Sequence, residues 1–257
     1  MAKDLDSKVI EFLSRPVEFH IPYLFVDASY FKIRDGIKYS NKALLVVAGV
    51  NKDGIREILS ARIADCEDEL TWEDLLLDLK DRGLHHVDMV ISDGHKGIRR
   101  AVERSFHGSS WQMCHVHFIR AVLKKISRKD HKVAASILKD SLSDPRRLKE
   151  CIFELESRGY SRAADTVERF QFDLMNYLSF SAEHWRRIRT TNLLERVNKE
   201  LKRRSHSIGA FPNDPSFLRI AGSILMDINE EWITSRRYLS DLGEISTADA
   251  GAEITAY

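Results

Sequence analysis

Two Asp-Gly pairs set the tightest limit on how this chain can fold. Asp35-Gly36 follows YLFVDASYFKI, an aromatic and β-branched run at 23–33. Asp53-Gly54 follows a second run at 39–50, which ends ALLVVAGV, and precedes a third at 55–64. Asp-Gly supplies the positive backbone φ of a tight hairpin turn. Three strand-forming runs joined by two such turns can only make an antiparallel meander.

Beyond the meander the period changes. Trp72, Leu75, Leu76 and Leu79 repeat at helical spacing over 71–82, and Gly83 ends that helix. HVDMVISD at 86–93 is a short apolar run of the kind found in buried strands. A helix at 96–105, a fifth strand at 111–114 and a helix at 117–126 follow. From 128 to 177 the pattern stays helical, with Leu148, Ile152 and Leu155, then Ala164, Val167 and Phe170, as core-facing sets. One more helix is expected at 217–232. Three antiparallel strands, then helix, strand, helix, strand, helix, is the layout of a ribonuclease-H-like α/β core. It predicts a mixed sheet of three antiparallel and two parallel strands, helices on both faces and an all-helical insertion. The corresponding division is an N-terminal appendage at 1–22, carrying the short pattern Val9, Phe12, Leu13, and a core of 23–127 and 189–235. Residues 128–188 are the insertion and 236–257 a mobile tail without a core pattern.

With 43% hydrophobic and 31% charged residues, the composition is that of a globular chain able to bury one good-sized core. No apolar run reaches membrane-spanning length and no secretory leader opens the chain. Cys66, Cys114 and Cys151 are odd in number and far apart, which excludes a disulfide framework and suits a reducing compartment. The expected location is cytoplasmic, with the nucleoid.

Charge is unevenly placed. Between Trp185 and Ser205 stand eight basic residues, Arg186, Arg187, Arg189, Arg196, Lys199, Lys202, Arg203 and Arg204, against Glu195 and Glu200. That stretch carries +6 in a chain whose total is +1. A local basic patch on a mildly acidic body is an electrostatic footprint for nucleic acid. Leu194, Val197 and Leu201 give the same stretch one buried helical stripe. Glu195 shares a different stripe with Asn198 and Lys202. Two readings of Glu195 stand side by side. Asn192 and Glu195 have capping-box spacing, Asn192 as N-cap and Glu195 at N3. Alternatively, a lone acid on a cationic helix holds a metal ion that bridges to phosphate.

Two further acids favour the second. Asp27 sits inside the first strand between apolar neighbours, where a lone charge costs several kcal/mol unless paired or bound to metal, roughly the penalty for burying an ion. Asp93 ends the fourth strand, and ligand sites of α/β sheets lie at the carboxyl ends of strands. The first and fourth strands are neighbours in this layout, so Asp27 and Asp93 meet there, and two such carboxylates need a cation between them. Magnesium suits an all-oxygen set, and a third carboxylate from Glu195 would complete a two-metal site for phosphodiester chemistry. The acidic run Asp65, Glu67, Asp68, Glu69 is read as a helix start, not a metal site. Cys114 and His117 form a C-x-x-H pair without a second ligand pair, so a hydrogen-bonding role near the core is expected in place of zinc. Trp185, beside Arg186 and Arg187, is read as a core residue, with stacking on an unpaired base as the alternative.

At this point the chain resembles the Mutator-type transposases of bacterial insertion sequences. The matching segments are YLFVDASYFKIRDG, GVNKDGIREIL, RGLHHVDMVISDGHKGIRRAV, WQMCHVHFIR and TTNLLERVNKELKRRSHSIGAFPND. The resemblance implies a DDE triad of Asp27, Asp93 and Glu195, and the family's C-x-x-H motif at Cys114 and His117. It implies Mg2+ or Mn2+, two ions, and cutting of double-stranded DNA at element ends followed by joining of the freed 3′-hydroxyl. A homo-oligomer on DNA is also implied. About twenty residues precede the first catalytic strand, where family members carry a helix-turn-helix region. The expectation is therefore a catalytic core lacking most of that region, the alternative being a remnant that binds DNA without efficient transposition. Ala121 stands where the family tends to have Asn.

Overall fold

A computed structural model describes residues 2–240. The meander forms as its turns require. β1 (His20–Asp35) pairs antiparallel with β2 (Lys38–Val50), and β2 pairs antiparallel with β3 (Arg56–Ala64). Gly36 and Gly54, at φ +60° and +75°, turn the two hairpins. β4 (His86–Ser92) and β5 (Ser110–Met113) add in parallel on the other edge, giving the order β3-β2-β1-β4-β5. This is the ribonuclease-H-like mixed sheet expected from the order of elements.

Alternation along β1 divides the core in two. Leu24 and Val26 face a layer built from α2 (Glu69–Asp81), α3 (Lys96–Ser105), α4 (His115–Leu123), α5 (His131–Ser141), α6 (Pro145–Ser157) and α7 (Ser161–Phe170). Tyr23 and Phe25 face α9 (Asn192–Ser205) and α10 (Asp214–Thr234), and the four-residue α8 (Trp185–Ile188) precedes α9. Asp27 has the parity of Tyr23 and Phe25, so it points under α9. α1 (Ala2–Ser14) packs on α10, where Val9 is 1% exposed against Gly222. Most of the tail expected to be mobile lies outside the described residues.

The paired strand of Asp27 begins at His20, three residues before the apolar run that announces it, because His20 and Ile21 already pair with His86 and Val87. α2 begins at Glu69, capped by Asp68, whose carboxylate accepts from Thr71 N at 2.8 Å. Gly97 shows how tightly α3 meets that cap. A Cβ there would stand 2.8 Å from Glu69 N and 2.9 Å from Asp68 C, both backbone. Gly97→Ala is therefore expected to cost about 1–3 kcal/mol, the range for overpacking. Urea unfolding checks this as a lower midpoint at unchanged m-value.

Candidate active site

Strand register brings the first two acids together. Phe25 pairs with Ile91, and Asp27 and Asp93 each lie two residues further along. Asp27 is buried, with 6% of its surface exposed. Asn198, one helical turn after Glu195 on α9, donates from Nδ2 to Asp27 Oδ2 at 2.7 Å. Burial drives the Asp27 pKa up to about 6; His117 opposes the rise, and Asp93 adds to it. Asp93 is half-buried and accepts from His95 N at 3.0 Å, an Asx-type turn that leads into α3.

His117 stands among all three acids. Burial disfavours its charged form, but the hydrogen bond and charge of Cys114, then the charges of Asp27 and Asp93, outweigh it and raise its pKa to about 9. Its Nε2 lies 3.9 Å from Glu195 Oε1. One turn further along α4, Arg120 donates to the same oxygen at 2.6 Å. Glu195 is thus tied across to α4 and does not close a capping box. The N-cap is Thr191, without a side-chain cap bond, and Asn192 is the first helical residue. Thr191 instead donates from N and Oγ1 to Cys114 Sγ at 3.3 and 3.4 Å. Burial resists ionisation of the Cys114 thiol, yet His117 and Thr191 pull its pKa below the ordinary value. The C-x-x-H pair therefore couples the start of α4 to the start of α9 through hydrogen bonds.

Asp27, Ala28, Ser29, His117, Arg120, Glu195, Asn198, Lys199 and Lys202 line an open groove of about 700 Å³ together with Asn192 and Arg196. The donor set fits a hard divalent cation. The groove offers carboxylate oxygens, and Asn198 Oδ1 is buried without a hydrogen-bond partner beside Asp27. The three acids do not meet at a single point, however. The one trio of His, Cys, Asp or Glu among the described residues with ligand atoms all within 4.8 Å is His20, His86 and Asp88. That trio lies at the opposite ends of β1 and β4. Asp27, Asp93 and Glu195 stand around His117 at a wider spacing than that trio.

The basic residues separate into groups. Lys199 and Lys202 face the groove with the acids. Arg203 and Arg204 are engaged by Glu200, and Arg204 also by Asp227. Arg189 offers its carbonyl to His115 N at 3.0 Å. Arg186, Arg187 and Arg196 border a second, smaller cavity. Trp185 is half-buried, donates to Phe180 O at 2.7 Å and packs edge-on against Tyr177.

Asn198, Arg120 and Glu67 are additions that sequence patterns did not single out. Asn198 and Arg120 each follow a noted residue by one helical turn, which was the available signal. Glu67 lies in a run read as a helix start; Asp68 alone makes the cap. Glu67 accepts from Trp72 Nε1 and Tyr30 OH, both at 3.3 Å. Burial raises its pKa, and Asp93 raises it further.

Comparison with known proteins places the chain. Residues 1–235 match the family "Transposase, Mutator family", and the chain belongs to that family. It is 34% identical to the transposase for insertion sequence element IS256 in transposon Tn4001 of Staphylococcus aureus, over 93% of this chain and 64% of that protein. The transposase for insertion sequence element ISRM5 of Rhizobium meliloti is 33% identical over 93% and 61% of the two chains. That for IS1081 of Mycobacterium tuberculosis is 30% identical over 93% and 59%. The chain thus spans somewhat under two thirds of the length of these relatives. Among solved structures, the Drosophila P element transposase strand transfer complex aligns with 94% of this chain and 72% of its own at 14% identity. Its TM-score of 0.29 is too low to bear on fold or function. No helix among the described residues is long and apolar enough to cross a membrane.

The raised Asp27 pKa carries a pH prediction. The folded-state value, about 6, exceeds the ordinary 3.8, so ionising Asp27 opposes folding; the penalty is absent below pH 4 and full above pH 6. In metal-free buffer, Asp27→Asn removes it. The variant is expected to melt above wild type at pH 8, by on the order of 2–3 kcal/mol. The two converge near pH 4. Thermal melts at both pH values check this; a variant less stable than wild type at pH 8 contradicts it.

Proposed function

We propose that this chain is the catalytic core of a DDE-type transposase that cleaves double-stranded DNA at element ends and transfers the freed strand. One observation carries the reading. Acids from a strand interior, a strand end and a helix surround one cationic imidazole, and two of them, Asp27 and Glu195, line a groove that also presents Arg120, Lys199 and Lys202. Family membership is consistent with it. The core is taken to comprise 23–127 and 189–235, interrupted by the helical insertion.

Asp27, Asp93 and Glu195 would hold two divalent ions, Mg2+ or Mn2+, which when bound activate the attacking oxygen and stabilise the leaving one. The chain's own residues supply the remainder. Asn198 orients the Asp27 carboxyl through Nδ2 and leaves Oδ1 free as a further oxygen donor. His117 keeps its proton at neutral pH and sets a positive charge beside the acids, where an anionic phosphodiester must approach. Arg120 holds Glu195 in the absence of substrate and is free to swing to a phosphate oxygen once Glu195 is otherwise engaged. Lys199 and Lys202 line the path of the DNA backbone. Such an enzyme would work as a homo-oligomer on DNA, in the cytoplasm at the nucleoid.

The test is nicking and strand transfer on supercoiled DNA in Mg2+ or Mn2+. Asp27→Asn, Asp93→Asn and Glu195→Gln are each expected to reduce both to background while leaving DNA binding measurable. Metal-dependent cleavage that survives all three changes overturns the proposal. Binding without any metal-dependent cleavage favours a DNA-binding remnant.

A further inference from the structure

Behind the acid groove lies a second site that the family resemblance does not supply. Arg56, Arg186, Arg187, Thr190, Asn192, Leu193, Arg196 and Tyr238 enclose a cavity of about 110 Å³. Asn192 and Arg196 also line the acid groove, so the two sites share one wall, the first turns of α9. The cavity is assembled from distant parts of the chain. Arg56 opens β3 directly after the Gly54 turn. The segment carrying Tyr238 is stitched to that turn by Tyr238 N and Leu239 N, which both donate to Gly54 O, at 2.8 and 3.2 Å. A Cβ at Gly54 would collide with Leu239 O, so glycine is needed there for the approach as well as for its φ.

The electrostatics are unusual. The Arg56 guanidinium lies between Trp232 and Tyr238, 4.7 and 5.2 Å from their ring centroids, and Arg187 stacks on Tyr238 at 4.8 Å. No ion pair to any carboxylate is formed by Arg56, Arg186, Arg187 or Arg196 among the described residues. Arg56 Nε is buried without a hydrogen-bond partner. Burial lowers the Arg56 pKa; Tyr238 and exposed Glu231 oppose that fall, and the smaller effects of the Arg187 and Arg196 charges add to it. Elsewhere on this surface arginines are neutralised, as Arg203 and Arg204 are by Glu200 and Asp227. Stacked, converging guanidiniums without a carboxylate ion pair, and with an unfilled N–H, are a preorganised receptor for a tetrahedral oxyanion. The cavity suits a single such group, given that a water molecule's share of liquid is about 30 Å³.

We propose that Arg56, Arg186, Arg187 and Arg196, with the Tyr238 hydroxyl, clamp one phosphodiester of the DNA strand that runs through the adjoining acid groove. The clamp fixes the register of the strand, so the phosphate at the acids is set by the phosphate held behind α9. The inference rests on the reading of the groove as a DNA-cutting centre and adds to it a backbone anchor made by Arg56 and Tyr238, outside the basic stretch.

The test measures duplex binding by fluorescence anisotropy across a salt series without divalent metal, in the Asp27→Asn background, so that failure of cleavage and failure of the clamp read out separately. Arg56→Gln and Arg187→Gln are each expected to weaken binding about tenfold, the scale of one charge-assisted contact. Each should also flatten the log–log salt dependence by about one phosphate contact. Tyr238→Phe should weaken binding less. Arg158→Gln removes the same charge from an arginine paired with Glu154, outside the basic stretch, and is expected to leave affinity and slope near the starting values. Arg187 is exposed, so its variant keeps the test valid if Arg56→Gln unfolds. Unchanged affinity and slope for Arg187→Gln and Tyr238→Phe, or equal losses from Arg158→Gln, overturns the proposal. Replacing chloride by inorganic phosphate at matched ionic strength distinguishes the source of the anion. Competition that disappears in Arg187→Gln supports the clamp. Phosphate binding at this cavity with no effect on DNA affinity makes it a free-phosphate site and overturns it.

Discussion

The site is organised around a carboxyl group that the fold forces underground. Asp27 must point beneath α9 because it shares the parity of Tyr23 and Phe25, which anchor that face of the sheet. The surrounding contacts answer the charge that results. Asn198 reaches down from α9, His117 becomes cationic above it, and Cys114 ties His117 to the first residue before α9. A buried acid supported by one amide and one imidazolium remains under-compensated, which is why its pKa stays high. On the proposed reading, a divalent cation would be the remaining partner.

The same logic explains why the elements converge as they do. β1 and β4 bring Asp27 and Asp93 side by side through parallel register. α4 carries His117 and Arg120 on one face, and that face addresses Glu195. Hydrogen bonds from Thr191 to Cys114 hold α9 at the angle that lets Asn198 and Glu195 look in the same direction. Much of what reads as a sequence signature around Asp93 is packing. Gly97 is small because α2 begins against it, not because a ligand approaches.

Strand order, the two faces and the side-by-side placing of Asp27 and Asp93 were readable from the chain because each rests on local rules: Asp-Gly turns, period-2 alternation, and the carboxyl ends of parallel strands. Side-chain pairing was not readable in the same way. Capping-box spacing at Asn192 and Glu195 is a valid local rule that lost to a longer-range partner, Arg120, 75 residues away in sequence. Glu67 was hidden in a helix-start run because one acid of that run, Asp68, truly makes the cap. Arg56 gave no signal at all. It lies at the start of β3, far in sequence from the basic stretch, and the folding of Tyr238 onto the Gly54 turn joins the cavity it shares with Arg187 and Arg196.

The account's central claim is that Asp27, Asp93 and Glu195 belong to one metal centre although they do not meet at a single point. Anomalous diffraction from crystals grown with Mn2+ addresses it most directly. The account predicts manganese in the groove, bound to oxygens of all three acids, with Glu195 released from Arg120. Manganese held only by His20, Asp88 and His86 at the far ends of β1 and β4, with the groove acids unligated, would contradict it.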